Sequence, residues 1–156
     1  MSHPVFTRDQ LLDHWLGHRR VTRRVIEAFP DDEAFTTFSI GGMRPFAALV
    51  SEFLSIEATT LHGIVTGAWP TERQNAPASR AEALSRWDAD TARIRELWPQ
   101  LPEARFQETD TAFGQWEMRV GDLLFYVIDN EIHHRGQGYV YLRALGVEPP
   151  AFPDRS

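Results

Sequence analysis

Four stretches of this 156-residue chain repeat their apolar residues at the spacing of one helix face, and Pro or Gly bounds each of them. That pattern limits the fold more than any other feature. In the first stretch Leu11, Trp15, His18, Thr22, Val25 and Phe29 share a stripe. Thr7 and Gln10 have the form of a capping box at its start, and Pro30 with Asp31-Asp32-Glu33 stops it. The second stretch begins near Arg44-Pro45 and carries Phe46, Leu49, Val50, Phe53, Ile56, Leu61, Ile64 and Val65 as far as Gly67 and Pro70. Ser79 caps the third, with Glu82 in the capping-box position. Ala83, Leu84, Trp87, Thr91, Ile94, Leu97 and Trp98 line it, and Pro99 breaks it. The fourth runs from Val120 to Leu145, with Gly146 in the C-cap position and Pro149-Pro150 behind it. Between these, Phe35–Met43 reads as a short loop and 70–78 as a polar connection; 103–117 is the least clear stretch, with Thr109–Trp116 read as irregular chain or a short strand pair. With no internal repeat and no domain linker, the pattern predicts one domain over residues 1–156, an all-α four-helix bundle.

Charge and composition exclude several classes of function. The formal net charge is -6, which argues against a nucleic-acid partner, because such binding rests on neutralising phosphates. All 16 basic residues are Arg, so no lysine chemistry is available. The absence of Cys removes thiolate metal sites and Cys nucleophiles, and it fits a reducing compartment. Met1-Ser2-His3-Pro4 opens no apolar signal segment. No run is read as reaching the roughly 18 apolar residues of a membrane span, so the expected location is cytoplasmic.

The fourth stripe is interrupted. Val120, Leu124 and Val127 are apolar, as are Tyr141 and Leu145, but Glu131 and His134 stand between them. Asn130 lies one turn before His134, on the same face. A buried acid or imidazole needs a partner. Glu52 in the second helix offers one, between Leu49 and Ile56; Glu57, between Phe53 and Leu61, has apolar neighbours too. Glu and His on facing helices fit a site for Zn, Ni, Mn or Fe. They fit equally a hydrogen-bonded pair that fixes helix register, and on spacing alone this second reading carries more weight. His14 and His18 form another i, i+4 pair, read as packed or exposed side chains. Gly136 and Gly138 in one helical turn point to close approach of another element.

The run His133-His134-Arg135-Gly136-Gln137, the helix ending Tyr141-Leu142-Arg143-Ala144-Leu145-Gly146 and the segment Gly42 to Glu52 resemble the DinB-like (DinB/YfiT-like) family. The resemblance covers nearly the whole chain. It implies a bundle of up-up-down-down-like topology, frequently a homodimer, with one divalent metal held by three histidines. His134 matches one of the three ligand positions; Asn130 and Glu52 occupy the other two. Glu131 is then the better neighbouring ligand, and His133 and Arg135 complete the candidate set. Some relatives use a low-molecular-weight thiol, which implies a metal-dependent transferase or hydrolase-like activity on a small molecule. In that chemistry Glu52 or Glu131 would serve as base, and Arg135 would hold an anionic group or pair with an acid across the bundle. The alternative is a non-catalytic, dimeric, stress-associated or binding bundle with a degenerate metal site.

Overall fold

The structure is a computed structural model and describes residues 4–156; Met1, Ser2 and His3, at the start of the segment read for a signal peptide, lie outside the described residues. Four long helices form: α1 (Arg8–Ala28), α3 (Phe46–Thr66), α4 (Arg80–Leu97) and α5 (Val120–Ala144), with a short α2 (Asp32–Thr37) after α1. Thr7 closes the full capping box with Gln10, and the Ser79 hydroxyl accepts from the Glu82 N–H at 3.1 Å. Gly146, with φ of 76°, ends α5 as expected.

Helix α2 corrects the sequence reading. The acids after Pro30 end one helix but also start another: Asp31 Oδ1 accepts from the Ala34 N–H at 2.7 Å, and Asp32 and Glu33 favour a helix N-terminus. The short helix buries Phe35 against Phe29 and Phe46. The uncertain stretch before α5 resolves into two 3-10 turns, Trp98–Gln100 and Glu103–Gln107, and the antiparallel hairpin β1 (Thr109–Ala112) and β2 (Trp116–Arg119).

Two apolar clusters fill the bundle. One gathers Leu11 and Trp15 of α1, Leu61 and Ile64 of α3, Ile94 and Leu97 of α4, and Leu124 and Val127 of α5. The other gathers Val25 and Ile26 of α1, Phe46 to Leu54 of α3, Ala83 and Trp87 of α4, and Tyr141 and Leu142 of α5. The early part of α1 therefore lies beside the early part of α5 and the late parts of α3 and α4. Two helices run up and two down, as the bundle expectation requires, with α1/α5 and α3/α4 as the parallel pairs. In chain order this is up-down-down-up, because the segment 67–79 crosses from the end of α3 back to the start of α4.

Helix α3 has the length and mean hydropathy (1.2) of a membrane span, which the sequence reading did not find. Its packing against both α4 and α5 gives the apolar character a second cause. Gly138 brings α5 onto Phe46, since a Cβ there would sit 2.6 Å from the Phe46 ring. Gly136, expected to do the same, faces open space. Gly138→Ala is therefore expected to destabilise the fold by about 1–3 kcal/mol through overpacking, while Gly136→Ala stabilises it by up to about 1 kcal/mol. Chemical-denaturation midpoints of the two variants check this directly.

Candidate functional site

Antiparallel neighbours α3 and α5 bring three of the expected residues together. Asn130 Nδ2 donates to Glu52 Oε1 at 2.9 Å, and His134 Nε2 lies 3.2 Å from the same oxygen. Arg44, just before α3, places its NH1 2.6 Å from Glu52 Oε2. Tyr141 of α5 fixes that approach by donating its hydroxyl to the Arg44 carbonyl at 2.8 Å. Behind the imidazole, the Gln137 side-chain amide is 3.1 Å from His134 Nδ1. The consistent tautomer has Nε2–H donating to Glu52 and Nδ1 accepting from Gln137.

The electrostatics follow from these contacts. Burial pushes the Glu52 carboxyl up, but the hydrogen bonds from Asn130 and Arg44 and the Arg44 charge outweigh it, so its pKa falls below the ordinary value. Burial lowers the His134 pKa; the Glu52 carboxylate opposes this, and His133 and Arg44 reinforce it. Glu52 is thus a fixed anion with three donors on it, beside a neutral imidazole.

A cleft of about 460 Å³ opens beside Glu52, between α3, the hairpin, the early part of α5 and the crossover segment. Arg44, Glu52 and Ser55 form part of its polar lining, with Ile56, Trp116 and Tyr126 among its apolar walls. Gln74 N–H donates to Ser55 Oγ at 2.8 Å and holds the crossover over the cleft. Phe113 keeps a positive φ of 53° at the hairpin tip, packed between Trp69 and Trp116. Asn130 and His134 stand behind Glu52 and do not line the cleft.

The metal implied by the resemblance does not suit this donor set. Each carboxylate oxygen of Glu52 already faces a donor, and the nearest cation is the Arg44 guanidinium. The unpartnered atom is the uncharged Asn130 Oδ1. Among the described residues no group of three His, Cys, Asp or Glu gathers to hold an ion. A structural Zn site fills four positions and a catalytic one takes three protein ligands.

The other candidates stand elsewhere. His133 and His14 are exposed. Glu131 points away from Glu52 into the core, where the Thr22 hydroxyl donates to it, so it is not a substitute ligand. Arg135 is buried with it: NH1 donates to the His18 carbonyl at 2.9 Å, NH2 lies 3.1 Å from His18 Nδ1, and NH1 is 3.9 Å from Glu131. Arg135 is therefore held inside the bundle by α1, and the acid beside it is Glu131 of its own helix rather than one across the bundle.

These side chains belong to a polar layer between the two apolar clusters. At its other end Arg19 forms an ion pair with Glu57, donates to Thr91 Oγ1 at 2.8 Å and to the Trp87 carbonyl at 3.1 Å, and stacks 3.7 Å above the Trp87 ring. Sequence reasoning passed over Arg19. The signal was present, since Arg19 falls four residues after Trp15 and three before Thr22, on the buried stripe.

A sequence model of the DinB family matches residues 1–155. The chain belongs to the DinB family. Its fold is shared with a crystal structure of a DinB-like protein from Bacillus cereus, at 19% identity and a TM-score of 0.74, covering 92% of this chain and 95% of that one. A second DinB-like protein, from Bacillus subtilis, is similar at 20% identity and a TM-score of 0.70, over 92% of this chain and 97% of the other. No curated protein matches the sequence.

His18 gives this family member a distinct acid sensitivity. Burial, then Arg135, Arg155 and His14, push its pKa from 6.5 down to about 3. The folded state stays neutral there while the unfolded state binds a proton, so stability is lost as pH falls below 6.5. From about pH 7 to pH 5 the wild type is expected to lose about 2 kcal/mol more than a His18→Gln variant, at 1.36 kcal/mol per unit. Urea unfolding at both pH values measures the difference.

Proposed function

We propose that this DinB-family chain is a small-molecule-binding bundle whose ligand occupies the cleft beside Glu52, with no step that depends on a resident metal. One observation carries the reading. Glu52 lines the cleft, yet Arg44, Asn130 and His134 together satisfy its carboxylate. A carboxylate so held, with its pKa lowered, is a poor general base and a poor ligand, but a well-positioned anchor. The neutral His134 supports its orientation from behind. The walls call for a ligand with an apolar, flat body and one polar end: Trp116 and Tyr126 contribute aromatic side chains to the lining, and Arg44 and Glu52 offer a paired donor and acceptor. This favours the binding reading of the sequence over the transferase or hydrolase-like one.

The test uses 1-anilinonaphthalene-8-sulfonate as probe, an aromatic body with one anionic end. Saturable binding to the native protein is expected, weakened about tenfold or more in Ile56→Trp, which fills the cleft one helical turn from Glu52. Unsaturable binding, or equal binding by a folded Ile56→Trp variant, contradicts the proposal. Elemental mass spectrometry of the purified, untagged protein provides the second arm. About one equivalent of Zn, Ni, Mn or Fe, lost in His134→Ala, would overturn the metal-free reading and justify thiol-transfer assays.

A further inference from the structure

His18 of α1 has an arginine on each ring nitrogen. Arg135 of α5 places NH2 3.1 Å from Nδ1, and Arg155 of the C-terminal tail places NH1 2.9 Å from Nε2. A guanidinium only donates, and a neutral imidazole has one accepting nitrogen. Burial and the two guanidinium charges keep His18 neutral near neutral pH, so one of the two contacts sets a donor against a donor. Arg135 decides which. It is buried and also donates to the His18 carbonyl at 2.9 Å and to Thr22 Oγ1 at 3.3 Å, so it keeps its place. Nδ1 therefore accepts from Arg135, and the ring proton sits on Nε2. Arg155 then aims its own N–H at that proton with no acceptor between them. His18 is 2% exposed, so the stranded ring N–H does not turn to solvent. A shared acceptor reconciles the two donors.

The surrounding charge calls for an anion as that acceptor. Arg20 Nε donates to the Arg155 carbonyl at 2.6 Å, and Arg155 Nε donates to the Phe152 carbonyl at 3.1 Å. The nearby acids are committed elsewhere: Asp154 lies 3.7 Å from Arg24, and Glu131 takes Thr22 with Arg135 beside it. Among the described residues neither Arg20 nor Arg155 is paired with a carboxylate. A water would accept from both donors but leave this charge unbalanced; an anion answers both. Gly17 is an independent sign that the chain builds this spot. Glycine weakens a helix interior, yet a Cβ here would lie 3.2 Å from Arg155 Cβ and 3.8 Å from Arg20 NH2. Its missing side chain lets the tail lie against α1 and brings the two arginines together beside His18.

We propose that His18, Arg155 and Arg20 form an oxyanion site, in which a phosphate or carboxylate group accepts from His18 Nε2–H and the Arg155 guanidinium together. Arg20 supplies further positive charge. Arg155 is half-buried on the tail, so its head swings outward to admit the ligand while its backbone stays on α1. The forked guanidinium matches two oxygens of such a group, and charge-assisted hydrogen bonds are the strong ones. The site shares no residue with the lining of the cleft beside Glu52, so the two ligand readings stand or fall separately.

Inorganic phosphate and acetate are the probes, titrated into the full chain near neutral pH at constant ionic strength and read by proton–nitrogen NMR of the histidine rings. Before any probe is added, His18 is expected to carry its proton on Nε2. At least one probe then shifts the His18 Nε2–H signal saturably, with a Kd of about 1 mM or below, and the tighter probe names the ligand group. Arg155→Gln is expected to weaken that binding about tenfold or more. Arg95→Gln, on the exposed side of α4, leaves it unchanged and controls for loss of overall charge. A proton on His18 Nδ1, a response to both probes that never saturates, or binding by Arg155→Gln equal to that of the wild type overturns the oxyanion site.

Discussion

The ion pair between Arg19 and Glu57 is the contact on which the rest of the bundle depends. Both groups are buried and join α1 to α3, two helices that sit diagonally across the bundle. Burying a charge in a bundle core is costly, and breaking one half of a buried pair is costlier. Such a pair tolerates few arrangements of the surrounding helices. Thr91 and the Trp87 carbonyl hold the far edge of the guanidinium, so α4 is fixed by the same side chain. Glu131, Thr22 and Arg135 extend the constraint to α5. Apolar stripes alone allow helices to slide by a turn; this layer does not.

The site above α3 inherits that register. Glu52 meets Asn130 and His134 only because α3 and α5 are held at one offset, and Arg44 reaches Glu52 only because Tyr141 holds its backbone. The cleft then forms where the hairpin and the crossover segment close over the exposed flank of α3. Specificity in the core and geometry at the surface are consequences of the same few buried contacts.

Much of this was legible in the residues. Capping at Thr7 and Ser79, the α5 stop at Gly146 and the shared face of Asn130 and His134 follow from local spacing, and local spacing is what a sequence displays; Glu52 as their partner came from the broken apolar stripe and the family resemblance. The failures have a common cause. Glu131 and Asn130 are adjacent, yet a rotation of about 100° per residue sends one into the core and leaves the other against Glu52. Sequence reasoning weighed both as ligands because it could not assign that rotation. Arg19 was passed over, since an arginine on an apolar stripe is recognised as buried only once its carboxylate partner, 38 residues away, is placed. The helix α2 was hidden by acids that both stop one helix and start the next.

The most direct test of the register account is a double-mutant cycle on Arg19→Met and Glu57→Leu, read as unfolding free energy. The account predicts that each single change costs about 3–5 kcal/mol by stranding a buried charge, and that the double change costs much less than their sum. Its helices would be less uniquely packed, with a smaller denaturant m-value or broadened side-chain NMR signals. Additive costs, with a double variant as sharply packed as the wild type, would show that the apolar clusters set the register without the ion pair.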